Sequence, residues 1–498
     1  MHLLLSFCLL IAPSAQDAGP PQDAGAPEGD GPGLVLEDIE LTRADGETIV
    51  ARRGILDVPN VRGREGSPMV QVEFHRFPCE DPESKAPPIF LLRGGPGFEG
   101  LRRDITRKRF YEDNVQRHTR IADLVVVGQR GIGSSTPNTA CGGFEREALH
   151  ERVTFEETVE PIAAACKECR ARWEAEGYDP SGFNVIEAAA DVIDVADALG
   201  YDRITLLGTS FGSHWGMTIM RFHEERVARA VLSGLEGPNH TYDMPSYVLA
   251  ALERIAAAAE ASDTLAEHVP VDGLVESFRQ MSAALDEEPE VVALGTFEVL
   301  VDGRRLRAAA LGTSGRTSSR RGIRTWPADM IRIARGDLKG VANFAMARNM
   351  GARLPTASFL SLDCGSGISA ERLEQLRSDP ACAVLGKGEP FYEAACPGWG
   401  ADLGESFREN FETDVPTVLV QGNWDTSTPM ENALELAPYF TNSRFVLVEG
   451  GSHGALREAH VADAGFRDAL SAFLRTGTME DIPETVVLAP LRWDVPED

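Results

Sequence analysis

The pentapeptide Gly208-Thr209-Ser210-Phe211-Gly212 is the feature that most constrains how this chain folds. It fits the pattern G-x-S-x-G, follows a short apolar run at residues 204–207 and opens a helical pattern that extends to about Glu225. A strand, a sharp turn and a helix in this order expose a serine hydroxyl above the edge of a sheet. The glycines let the backbone turn without side-chain clashes, and the helix N-terminus favours negative charge beside the serine. We therefore predict Ser210 as a nucleophile.

Short apolar runs alternate with helical stretches along much of the chain. Runs of this kind predict strands that are buried on both faces, here at residues 88–92, 122–127, 203–207, 228–232, 417–420 and 445–448. The clearest helix is predicted over residues 185–199, where apolar residues recur at three- and four-residue steps before Gly200. This alternation predicts an α/β protein with a parallel sheet. The alternating pattern over residues 34–77 predicts an antiparallel pair at the sheet edge.

Residues 237–412 break this rhythm, with few strand-like runs and several helical ones, such as 247–259, 275–285 and 328–335. Because the segment lies between two predicted strands of the sheet, we interpret it as an inserted helical lid. The remaining chain then forms a core in two parts, residues 34–236 and residues 413–498.

The N-terminus predicts export. Residues 3–11 are apolar and are followed by small residues at 12–15, which indicates a signal peptide over residues 1–15. The run is too short to cross a bilayer, so no integral membrane span is expected. Residues 16–33 are rich in Gly, Pro, Ala and Asp and predict a disordered linker. We expect a secreted or periplasmic protein. A lipoprotein anchor at Cys8 is disfavoured because the bulky Phe7 precedes it.

Charge and cysteine spacing restrict the partners. The formal net charge of −29 at pH 7 argues against nucleic acid as a partner, because phosphate binding needs a positive face. The cysteines lack zinc-finger spacing, and Cys166 and Cys169 lie in a helical pattern without a second pair. We predict no metal and no cofactor, and the sequence leaves the oligomeric state open.

A serine nucleophile needs a base, and the base needs a carboxylate that orients it. In an α/β sheet whose serine lies on such a strand-turn-helix, the acid and then the histidine follow the serine along the chain. Asp425 comes just after the predicted strand at 417–420, and residues 428–431 form a capping box that begins a helix. This fixes Asp425 on a short loop at the edge of the sheet where catalytic groups gather. His453 follows the strand at 445–448 in the same way, so we predict Asp425 as the acid and His453 as the base.

A second stretch, Gly450-Gly451-Ser452-His453-Gly454, also fits G-x-S-x-G. If Ser452 were the nucleophile, its acid and base should lie further along the chain. The only downstream histidine is His460, which lies in a helical run. We therefore interpret His453 as the base that serves Ser210.

Acyl transfer also needs donors for the oxyanion that forms on the attacked carbonyl. One is predicted to be the backbone N–H of Phe211, next to the nucleophile. The other should come from the turn at residues 93–97, which follows a predicted strand and contains glycines that allow close approach to the substrate. We favour the N–H of Gly95, with Gly94 as the alternative.

Together these motifs resemble those of the proline iminopeptidase and tripeptidyl aminopeptidase family. Gly94-Gly95-Pro96-Gly97 resembles the H-G-G-P-G oxyanion turn of that family, and residues 129–135 resemble its D-Q-R-G-x-G-x-S loop. Asp425 with Thr428-Pro429 resembles D-x-x-T-P, and Ser452-His453-Gly454 resembles G-H-G. The similarity runs from about residue 54 to the last strand and helix, and it is closest to the exported tripeptidyl branch.

Three positions depart from the family pattern. Arg93 stands where His or Asn is usual, Gly128 where Asp is usual, and Ser452 where Gly is usual. None of them removes an atom of the predicted triad. The first two alter loops around the substrate and so concern specificity more than catalysis.

The resemblance implies an α/β-hydrolase fold, with a mostly parallel central sheet, helices on both faces and an inserted helical lid. It implies an exopeptidase that releases N-terminal residues or short peptides through an acyl-enzyme. It also implies that Cys141 pairs with Cys166 or Cys169, and Cys364 with Cys396 or Cys382.

The substrate class has two interpretations. An aminopeptidase needs an acidic group for the substrate amine, and Glu236 is a candidate because it lies just past the strand at 228–232. The same triad also serves carboxylic-ester and lactone hydrolases, so the expected partner is a peptide or a small ester.

Overall fold

The computed structural model describes residues 33–43, 45–97, 101, 105–133, 135–311, 317–386 and 390–496. The predicted signal peptide, Cys8 and all but the last residue of the predicted linker lie outside these ranges.

A large twisted sheet forms the centre of the molecule. Its order in the described residues is β1-β2-β3-β5-β4-β6-β7-β10-β11-β12. The strands are β1 (Leu34–Thr42), β2 (Thr48–Pro59), β3 (Met69–Phe77), β4 (Ile89–Leu92), β5 (Leu124–Val127), β6 (Ile204–Thr209), β7 (Val227–Ser233), β10 (Thr417–Gly422), β11 (Ser443–Glu449) and β12 (Thr485–Val487), with β8 and β9 in a separate hairpin.

The strands from β5 to β12 are parallel, and β1 to β3 are antiparallel to their neighbours. The mostly parallel α/β sheet is therefore confirmed. The predicted antiparallel pair at its edge is corrected to three strands, because the turn between Pro59 and Met69 divides the alternating run a second time. Its glycines Gly63 and Gly66 have positive φ values of 74° and 71°, which favour glycine.

Helices cover both faces of the sheet, as the predicted architecture requires. Before the lid they are α1 (Lys108–Phe110), α2 (Gln116–His118), α3 (Phe155–Ala175), α4 (Val185–Ala198) and α5 (Phe211–His223), with a π-helical turn at Tyr111–Val115. After it come α16 (Met430–Leu436), α17 (Ala455–Ala462) and α18 (Ala464–Thr476). Side chains of β6 alternate between the two apolar cores, with Leu206 on the side of α4 and α5 and Leu207 on the side of α18.

The chain between β7 and β10 is mainly helical. It contains α6 (Pro245–Glu260), α7 (Leu274–Glu287), α8 (Gly303–Leu311), α9 (Arg320–Ala334), α10 (Lys339–Met350), α11 (Ala357–Ser366), α12 (Ala370–Ser378), α13 (Cys382–Leu385), α14 (Pro390–Trp399) and α15 (Glu405–Arg408). It also contains an antiparallel hairpin, β8 (Glu290–Leu294) and β9 (Phe297–Val301), which the sequence analysis did not predict. Helix α11 is held against the core because the hydroxyl of Ser358 donates a hydrogen bond to the carbonyl of Arg130 over 2.8 Å.

Two disulfides join elements that are distant in sequence. Cys141 pairs with Cys169 of α3, and Cys364 of α11 pairs with Cys396 of α14. Each pairing is one of the two alternatives that the family resemblance implied. Cys166 lies in the same helix as Cys169 but is buried, and burial raises the pKa of its thiol to about 12.

Candidate active site

Ser210 occupies the turn between β6 and α5 in a strained conformation. Its φ of 60° is the one positive value found for a non-glycine residue in the described parts of the chain, and such backbone strain concentrates at functional sites. The flanking glycines make the turn possible. A Cβ at Gly208 would lie 2.3 Å from the carbonyl oxygen of Gly212, and a Cβ at Gly212 would lie 2.1 Å from that of Leu92. The sharp turn that the motif predicts is therefore the one observed.

Asp425 and His453 lie within hydrogen-bonding distance of each other. Nδ1 of His453 is 2.9 Å from Oδ2 of Asp425, whose side chain is fully buried. The hydroxyl of Thr428 donates to the same oxygen over 2.8 Å, and the backbone N–H groups of Ser427 and Thr428 donate to Oδ1. Burial raises the pKa of Asp425, but the histidine and these donors outweigh it, and the pKa is lowered overall. Asp425 is therefore held ionised.

The electrostatics of His453 suit a base that becomes charged during reaction. Burial lowers its pKa, but the carboxylate of Asp425 and then that of Asp243 raise it more, so the net shift is upward. The sequence analysis did not anticipate Asp243 as a second nearby carboxylate.

Gly234 lies between the histidine and the serine turn. A Cβ at Gly234 would approach Cε1 of His453 to 3.1 Å, and the neighbouring Ser233 accepts the backbone N–H of Ser210 over 2.9 Å. In the described residues the Ser210 hydroxyl is not hydrogen-bonded to His453. Such bonds often tighten only in the substrate complex.

The turn at Gly94 packs directly on the serine turn. A Cβ at Gly94 would lie 2.7 Å from Cβ of Ser210, so glycine is required for this approach. Gly95 has a φ of 69°. Across the described ranges, the backbone N–H groups of Gly95 and Phe211 have no hydrogen-bond acceptor, which leaves them available to a substrate oxygen.

Gln129 positions the end of this turn. Its Oε1 accepts the backbone N–H of Gly97 over 2.8 Å, and its side chain is almost fully buried. The neighbouring Gly128 stands where the family usually has aspartate, and a steric contact explains this departure. A Cβ there would lie 2.8 Å from the carbonyl oxygen of Glu73, so the usual aspartate would require a backbone shift.

Glu236 is anchored to the serine turn through Ser213. The backbone N–H of Glu236 donates to the hydroxyl of Ser213 over 3.0 Å, and that hydroxyl donates to the carbonyl of Ser210 over 2.7 Å. The carboxylate of Glu236 has no hydrogen-bond partner among the described residues. Burial, then the carboxylates of Asp363 and Asp243, raise its pKa well above the usual value.

Asp363 and Asp243 extend this group of carboxylates into the lid segment. Asp363, on α11, is buried and accepts a hydrogen bond from Tyr392 of α14, and burial raises its pKa to about 7. Burial and the nearby Asp425 raise the pKa of Asp243 to about 8. Neither residue was predicted from the sequence. The only local signal was the position of Asp363 next to Cys364, in a lid whose cysteines were expected to pair.

In the described residues, these three carboxylates included, no three His, Cys, Asp or Glu side chains are placed to hold a metal ion. The same parts of the chain contain no helix with the length and apolar character of a membrane span.

The fold and the site define a serine hydrolase of the α/β-hydrolase type. A family model described as alpha/beta hydrolase fold matches residues 87–268, and one described as TAP-like protein matches residues 387–486. Together with the sheet topology, these two matches support an α/β-hydrolase family of tripeptidyl-aminopeptidase-like proteins.

Curated relatives include the serine protease Hip1 of Mycobacterium tuberculosis and of Mycobacterium bovis. Each is 28% identical to this chain over 193 residues, which cover 37% of this chain. The match spans 36% of the length of Hip1.

Solved structures with similar folds include an epoxide hydrolase from an endophytic Streptomyces and Est816, an N-acyl homoserine lactone degrading enzyme. The first is 12% identical with a TM-score of 0.37 and covers 88% of this chain and 98% of that chain. The second is 15% identical with a TM-score of 0.34, and it covers 82% of this chain and 98% of that chain.

Proposed function

We propose that this protein is a serine aminopeptidase that releases N-terminal residues or short peptides. Ser210 is the nucleophile, His453 the base and Asp425 the acid that orients the base. The observation that carries the proposal is the group of three carboxylates, Glu236, Asp363 and Asp243, beside this triad.

In the first step, Oγ of Ser210 bonds to the carbonyl carbon of the substrate while its proton passes to Nε2 of His453. The Nδ1–H of the resulting imidazolium donates to Asp425. The N–H groups of Phe211 and Gly95, or Gly94 in place of Gly95, stabilise the oxyanion. The carbon–nitrogen bond then breaks, and the proton on Nε2 goes to the leaving amine. Water attacks the acyl-enzyme by the same route, which releases the acid and restores the Ser210 hydroxyl.

The three carboxylates favour a cationic substrate group. Buried carboxylates raise one another's pKa because their charges repel, and a cation between them removes that penalty. A protonated α-amine supplies this charge and donates hydrogen bonds to the carboxylate of Glu236, which has no partner among the described residues. Because Glu236 is tied to Ser210 through Ser213, the amine would be held at a fixed distance from the attacked carbonyl.

The test is turnover of matched substrates with one leaving group: free and N-acetylated aminoacyl, prolyl and tripeptidyl amides, beside short acyl esters. Blocked amides should react slower by about tenfold or more, since acetylation leaves a buried carboxylate unpaired. Equal rates on free and blocked amides, with faster rates on esters, would replace this proposal with an ester or lactone hydrolase that uses the same triad.

We also propose that the protein is exported. The support is the pair of disulfides, because such bonds persist in oxidising compartments.

A further inference from the structure

A cavity of about 150 Å³ adjoins the serine turn, and none of the three carboxylates lines it. Its walls come from the sheet, α2, α17 and α18. Thr209 and Gly454 line the cavity. They are the chain neighbours of Ser210 and His453, and these two residues do not line it. The cavity therefore adjoins the serine turn and the histidine loop, but neither catalytic side chain lines it.

Most of the wall is apolar. Leucine and isoleucine side chains from the sheet, from the turn before β5 and from α18 line it, namely Leu91, Leu207, Ile121, Leu470 and Leu474. An apolar cavity of this size holds a group such as a benzene ring. The apolar part therefore fits one ring or a short alkyl chain.

The polar end of the cavity carries surplus positive charge. Asp113 is shared by three arginines: Arg457, which contacts its Oδ2, Arg117 at 3.3 Å and Arg109 at 3.7 Å. Burial, Arg457 and Arg467 lower the pKa of Arg117 despite Asp113. One carboxylate therefore leaves these guanidinium groups incompletely neutralised.

Two buried polar atoms in the same wall have no partner among the described residues. They are Nδ1 of His460, whose residue is 6% exposed, and Oγ of Ser233, whose residue is 0% exposed. Both residues line the cavity, and a buried polar atom without a hydrogen bond is destabilising.

We propose that this cavity binds a small monocarboxylate, with its ring or alkyl chain among the leucines and its carboxylate toward Arg117, Arg457 and His460. The carboxylate supplies the negative charge that Asp113 alone does not, and it accepts hydrogen bonds from the guanidinium groups.

The test is calorimetric titration of the full chain with benzoate and with benzyl alcohol, a neutral molecule of similar shape. Benzoate should bind saturably, and benzyl alcohol about tenfold more weakly, because hydrogen bonds to charged groups are stronger. Prior reaction with a serine-directed phosphonate should leave both affinities unchanged. If the phosphonate abolishes binding, benzoate occupies the substrate site and the proposal fails.

Substitutions in the wall of the cavity test whether benzoate binds there. Arg457→Met should remove most of the preference for benzoate, whereas Arg475→Met, which changes an exposed arginine, should retain it. Leu474→Phe should fill the cavity and abolish binding of both molecules. If thermal melting shows that Leu474→Phe is unfolded, the preference for benzoate in Arg457→Met decides the test. The absence of benzoate binding, equal affinities for the two molecules, or an unchanged preference in Arg457→Met would overturn the proposal.

Discussion

The hydroxyl of Ser452 donates a hydrogen bond to Oε1 of Glu458 over 2.5 Å. The backbone N–H of Ser452 donates to the other oxygen of the same carboxylate, and the residue is fully buried. Ser452 therefore fixes the start of α17, although its local sequence fits the nucleophile pattern as well as that of Ser210 does.

This contrast gives the first prediction. Ser210→Ala should lower kcat by roughly a thousandfold or more while the thermal melt stays near that of the parent protein, because the hydroxyl acts only in the reaction. Ser452→Ala is the matched control and should retain most of the activity. Mass spectrometry should find a serine-directed phosphonate on Ser210, and a label on Ser452 would contradict the assignment.

The second prediction concerns Thr428, whose hydroxyl donates to the same oxygen of Asp425 that His453 contacts. Thr428→Val should lower kcat about tenfold with little change in KM, since a hydrogen bond to a charged group contributes about 1.5–3 kcal/mol. Thr426→Val is the control in the same loop, because that hydroxyl bonds to Thr317 instead. Equal effects of the two substitutions would show that the loop, rather than this hydrogen bond, matters.

The third prediction is the pH dependence of turnover. The base must be neutral, so kcat/KM should fall as the pH drops through the pKa of His453, which lies above the ordinary 6.5. Because burial and Asp425 raise the pKa of Asp243 to about 8, that carboxyl is mostly protonated over the acid limb, so Asp243→Asn should leave the limb nearly unchanged. N-blocked or ester substrates keep this measurement independent of amine binding. A clear shift of the acid limb to lower pH in Asp243→Asn would contradict this and show that Asp243 is ionised beside the base.

The fourth prediction concerns Glu236. Glu236→Gln should erase much of the preference for free over N-acetylated amides while hydrolysis of the acetylated ones is retained, because only the charged contact to the amine is lost. Glu225→Gln changes an exposed glutamate and serves as the control. A retained preference would leave the peptidase proposal standing and move the amine site to Asp363 or Asp243, which Asp363→Asn and Asp243→Asn would separate.

The fifth prediction concerns the disulfide pairing. Peptide mapping without reduction should find Cys141 joined to Cys169 and Cys364 joined to Cys396. Replacing Cys364 and Cys396 by serine should lower the free energy of unfolding by up to about 4 kcal/mol, the chain-entropy value for a sequence separation of 32. A peptide that joins Cys141 to Cys166 would contradict the structure.

The tertiary structure selected among alternatives that the sequence left open. Cys166 and Cys169 are both compatible with a bond to Cys141, but their positions on α3 direct only Cys169 toward it. The two stretches that fit G-x-S-x-G were already separated by the chain order of acid and histidine, and they also differ in space, because Ser452 is hydrogen-bonded to Glu458. The sequence analysis did not predict the hairpin of β8 and β9. The usable local signal was Gly295, which lies at its turn and has a φ of 66°.

The sequence by itself determined the α/β class, the serine turn and the chain order of acid and histidine. These follow from local patterns, because strand periodicity, glycine placement and helix starts depend on residues only a few positions apart. Only the tertiary structure decided that Asp363 and Asp243 join Glu236, that Gln129 holds the Gly94 turn, and that three arginines share Asp113. Those relationships join residues from different elements, and their burial and charge exist only once the lid and the C-terminal helices pack against the sheet.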